Sequence, residues 1–179
     1  MEQLDPDKLK LFSFLLFSKL EGAVTSGMVH LGDQLGIYKA LAAAQQPLTT
    51  AQLAHATQLN ERWVREWSYN QAAAKMISTI NTPTATPSIT DDTFYLSPEQ
   101  TAVLATDNHP AFGMGMFHRL PQTMESLKRM PESFRTGIGH NYDSHGPEGA
   151  VGIEQFRAVD KCKPHLGGAA RTRRRGKNA

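Results

Sequence analysis

Over residues 8–29 the apolar positions Leu9, Leu11, Phe12, Leu15, Leu16, Leu20, Val24 and Met28 recur at spacings of one, three and four, with Pro6 just upstream. This spacing predicts a long helix that is apolar around much of its girth. Such a helix must be covered by something, and a partner chain is the natural candidate. Helical spacing resumes over residues 30–44, where Leu31, Leu35, Tyr38, Leu41 and Ala42 share a face. Gly27 or Gly32 is expected to break the chain between the two stretches, and Pro47 to end the second. Thr49 or Thr50 then caps a short helix with Leu53 pointing inward. After a turn through residues 57–59, Asn60 is a good N-cap for a helix running to Met76. Trp63, Trp67, Gln71 and Ala74 lie on one stripe of that helix, and core packing is the expected role of both tryptophans.

Beyond Met76 the period changes. Residues 77–80 and 93–96 are short β-prone runs, separated by a turn-rich stretch holding Pro83, Pro87, Asp91 and Asp92. Three helices with a tight turn between the second and third, followed by a hairpin with a long loop, make a winged helix-turn-helix. Ser97-Pro98-Glu99 is a strong start signal for a helix over residues 98–105. His109-Pro110 breaks that helix, and residues 111–130 read as another helix or a pair interrupted at Pro121. Residues 131–149 read as loop, residues 151–156 as the start of a further helix, and the terminal stretch as disordered. The fold class predicted is mainly α: a winged helix-turn-helix with a small β-hairpin wing, a long N-terminal helix and a C-terminal helical linker. The divisions expected are 1–31 for the N-terminal helix, 32–97 for the winged helix, 98–156 for the linker and loop, and 157–179 for a basic tail.

Charge sharpens this division. The chain of 179 residues carries a formal +2, but eight Lys or Arg against Asp160 alone follow Phe156, so the last 23 residues hold +7 and the first 156 hold −5. The body is acidic and only the tail is basic, which limits expected nucleic-acid contact to weak, salt-dependent binding by that tail. With a mean hydropathy of −0.41 and no apolar run approaching ~20 residues, a membrane span is not expected. One cysteine, Cys162, can form neither an internal disulfide nor a cysteine-based zinc site, and a cytoplasmic location is expected.

Residues 22–41, the run 48–54, the block Leu59-Asn60-Glu61-Arg62-Trp63-Val64-Arg65-Glu66-Trp67 with Gln71-Ala72-Ala73-Ala74, then 94–99 and 142–146 together resemble a known pattern. It is that of class I S-adenosylmethionine-dependent methyltransferases with an N-terminal winged-helix domain, and it spans roughly residues 8–156. The resemblance implies a dimerisation and substrate-lid module, working as a homodimer or paired with methyltransferase subunits. It also implies methyl transfer to a small molecule in complete relatives, with S-adenosylmethionine as cofactor. In those relatives the catalytic layer follows, and its first strand ends in an Asp-x-Gly-x-Gly loop. No such motif stands here, because Gly113-Met114-Gly115 and Gly137-Ile138-Gly139 lack both the strand and the acid. The residues after Phe156 are fewer than the ~30 of a βαβ unit, so a product truncated or frame-shifted near Arg157, inactive by itself, is expected.

No catalytic, cofactor-binding or metal-ligating residue is therefore assigned. The substrate-proximal candidates are Trp67, as an aromatic that could line a ligand pocket, and Tyr142 and His145, which the resemblance implies. His140, Asp143 and His145 do not match a zinc spacing. His30 and His118 read as hydrogen-bonded structural histidines, and Met114, Met116, Met124 and Met130 as ordinary packing. Two other classes of function stay open. One is a DNA-binding winged-helix regulator, against which Glu61 and Glu66 offset Arg62 and Arg65 and the wing carries Asp91 and Asp92 without Lys or Arg. The other is a scaffold subunit pairing with full-length methyltransferases.

Overall fold

A computed structural model of the chain describes residues 4–80, 92–141 and 151. Among the described residues, eight helices and three strands follow in order: α1 (Pro6–Gln34), α2 (Ile37–Ala44), β1 (Leu48–Thr49), α3 (Thr50–Thr57), α4 (Glu61–Ala73), β2 (Ser78–Ile80), β3 (Thr93–Tyr95), α5 (Pro98–Leu104), α6 (Met114–His118), α7 (Leu120–Ser126) and α8 (Met130–Thr136). The mainly helical winged helix-turn-helix is as expected. The wing loop with Pro83, Pro87 and Asp91, the helix start over 152–156 and the basic tail lie outside the described residues.

α1 opens on Asp5, whose side chain accepts from the Asp7 and Lys8 amides, and it runs unbroken past Gly27 and Gly32. The expected break at those glycines does not occur. The chain turns at Gly36 instead, where φ is +70°, a conformation open to glycine at little cost. Gly32 serves a different purpose: it is the gap through which α1 approaches Tyr38 and Trp67. α3 begins with a reciprocal capping box between Thr49 and Gln52, and α4 with the Asn60 side chain on the Arg62 amide. α4 stops before the expected Met76 because Lys75 takes a left-handed φ of 61°. The Met76 amide then bonds back to the Gln71 carbonyl at 2.8 Å.

The sheet is antiparallel with order β1-β3-β2. Leu48 pairs with Phe94 across β1 and β3, and Thr79 pairs with Phe94 across β2 and β3, so the fully buried Phe94 ring sits at the centre. The strand β1 was not anticipated from the sequence. Its two residues carry no period, and only their pairing with β3 makes them a strand. The expected pair of helices divided near Pro121 is present as α6 and α7, with Pro121 in the first turn of α7, whereas α8 departs from expectation: Pro131 sits in its first turn, within the stretch expected to be loop. Proline in a first turn displaces no helical hydrogen bond.

α1 packs on α2, α4, α6 and α7, with its buried positions Val29 and Gly32 confined to the C-terminal half. The core gathers Val29, Ile37, Tyr38, Leu53, Val64, Trp67 and Phe94. Among the described residues no helix is long and apolar enough to cross a membrane.

Candidate functional site

α4 presents Val64, Trp67, Ser68 and Gln71 to the core, three and four residues apart on one face. Trp67 is 3% exposed, donates from Nε1 to the Met28 carbonyl at 2.8 Å and meets the edge of Tyr38 at 5.1 Å between ring centres. The Tyr38 hydroxyl donates to Gln71 Oε1 at 2.5 Å, and burial followed by the nearby Asp33 charge pushes its phenol pKa well up. Trp67 therefore stands as a clamp between α1, α2 and α4. The other substrate-proximal candidates, Tyr142 and His145, lie outside the described residues, as does Asp143. His140 is described and pairs with the Ser133 hydroxyl at 3.3 Å. Among the described residues no three potential ligands are grouped to hold a metal.

Trp63 corrects the expectation that both tryptophans pack in the core: the residue is 70% exposed. One turn before Trp67, it lines a cleft with Leu31 and Leu35 at the end of α1, just ahead of the bend at Gly36. This apolar cleft of about 490 Å³ has Met28, Leu31 and Leu35 on one wall and Trp63 and Trp67 on the other. The methionines split as well. Met114 is buried, whereas Met116, Met124 and Met130 are exposed, since α6 and α7 pack on α1 and leave their own outer faces open, and α8 buries no residue.

The most conspicuous surface is the N-terminal half of α1. Leu9, Leu11, Phe12, Phe14, Leu15, Leu16, Phe17 and Leu20 are each 52–69% exposed, all around the helix. Soluble monomers rarely expose contiguous apolar patches beyond a few hundred Å². Side chains of this size at such exposure leave on the order of 100 Å² each, so the eight present roughly 800 Å², the share each partner gives to a standard interface.

The polar groups form structural pairs. His30 Nδ1 lies 3.0 Å from the Phe117 carbonyl and ties α1 to α6, as expected for a structural histidine. Asp33 is pushed above the usual carboxylate range by burial, against the pull of Lys39 and His118. Arg65 bonds Glu61 at 2.8 Å and holds its carboxyl below the ordinary value, while Arg62 lies 6.0 Å over the Trp63 ring. The Tyr69 hydroxyl donates to Asp92 at 2.6 Å, fastening the wing to α4, and burial together with that bond raises the phenol to about 12. Arg62 and Arg65, the two basic residues of α4, are thus each engaged locally.

The described strands are antiparallel and two or three residues long, with no parallel strand leading into a glycine loop. Gly113 closes onto α5 through its amide to the Val103 carbonyl at 3.0 Å, and Gly137 is the left-handed cap of α8.

Comparison with known proteins agrees with this architecture. Residues 23–106 match the sequence profile of the Rv2258c-like winged HTH domain. No curated protein sequence matched the chain. Among solved structures, the mitomycin 7-O-methyltransferase MmcR superposes with a TM-score of 0.66 at 17% identity, over 88% of this chain and 46% of that one. The N,N-8-amino-8-demethyl-D-riboflavin dimethyltransferase RosA from Streptomyces davawensis gives 0.57 at 21% identity, over 88% and 45%. Human N-acetylserotonin methyltransferase, solved with SAM, gives 0.55 at 13% identity, over 89% and 48%. The chain spans a little under half the length of each. Over residues 23–106 the chain is accordingly similar to the Rv2258c-like winged HTH domain, and its winged-helix fold is shared with solved methyltransferases.

Proposed function

We propose that this chain is the dimerisation and substrate-lid module of a cytoplasmic, S-adenosylmethionine-dependent small-molecule methyltransferase-like protein. It pairs with a second copy through α1, and the winged helix walls the site where the acceptor is held in a complete enzyme. The observation that carries this reading is the apolar surface of α1 from Leu9 to Leu20, which no described part of the chain covers. Hydrophobic burial of that order drives stable association. The fold shared with solved methyltransferases supplies the context. Methyl transfer itself belongs to the cofactor-binding layer of such enzymes, where the sulfonium supplies the chemistry and the protein the orientation. This chain by itself is therefore expected to bind no cofactor.

Two experiments test the proposal. When two differently tagged copies of the whole chain are co-expressed, each is expected to carry the other through purification, and failure of both to do so overturns the association. Calorimetric titration with S-adenosylmethionine is expected to show no binding. Micromolar affinity would overturn the reading of the chain as a module without its cofactor layer.

A further inference from the structure

We draw no further inference here: the strongest candidate, the exposed apolar face of α8 carrying Met130 and Phe134, has nothing in the structure to show what covers it.

Discussion

Gly32 is the residue on which the contact between α1 and the core depends. A Cβ there would meet Tyr38 Cε2 at 2.8 Å and come closer still to the Trp67 ring, both buried and held by hydrogen bonds that leave neither room to retreat. Gly32→Ala, elsewhere in a helix a gain in propensity, is expected to destabilise this chain by about 1–3 kcal/mol through overpacking, read from the urea midpoint. Asp33, its neighbour, gives a prediction with a sign. Burial raises its native pKa above the ordinary value, so the native state holds the proton more tightly than the unfolded chain. Its contribution to stability is therefore complete below the ordinary carboxylate range and is lost as pH rises through the raised native value. Asp33→Asn is expected to melt higher than the natural chain at pH 7, with the gap narrowing towards pH 4. An equal gap at both values would mean that the carboxyl is not desolvated. At this scale the sequence was only partly legible: Trp63 and Trp67 stand four apart on one helix, and nothing in that spacing says that one is 70% exposed and the other buried. The bend at Gly36 decides it, and which of three nearby glycines would bend is fixed by packing against Tyr38 and Trp67.

Among the elements, the helix starts were the most legible because their chemistry is local. Ser97 accepts from the Gln100 amide at 3.2 Å while Gln100 Oε1 accepts from the Ser97 amide at 2.8 Å. The same Gln100 accepts from the Ser78 hydroxyl at 3.1 Å, so the cap of α5 also fastens β2. Ser97→Ala is expected to cost about 1 kcal/mol, measured by chemical unfolding. Gln100→Ala, which also takes away the bond to β2, should cost more. The elements missed were those that tertiary partners create or that proline disguises. β1 is two residues paired to Thr93 and Phe94, and α8 starts where Pro131 suggested a stop. The length of α1 was legible because its apolar positions persist. Its continuity through Gly27 was not, since a glycine costs a helix only about 1 kcal/mol, which packing of the C-terminal half offsets.

For the whole molecule, the winged helix could be read from the succession of periods, three helical and then two extended, and the Rv2258c-like match over residues 23–106 agrees with it. The candidate surface was foreshadowed by the apolar girth of residues 8–29, but the groove beside it arises only where α1, α4 and the bend at Gly36 come together. Sedimentation equilibrium of the whole chain over a range from 1 to 100 μM, on the order used to resolve interfaces of this area, tests the proposed association most directly. The expected mass is twice 19.7 kDa, falling to one chain when Phe14 and Phe17 are both changed to Asp. A single-chain mass at every concentration for the unaltered protein would contradict the role assigned to α1.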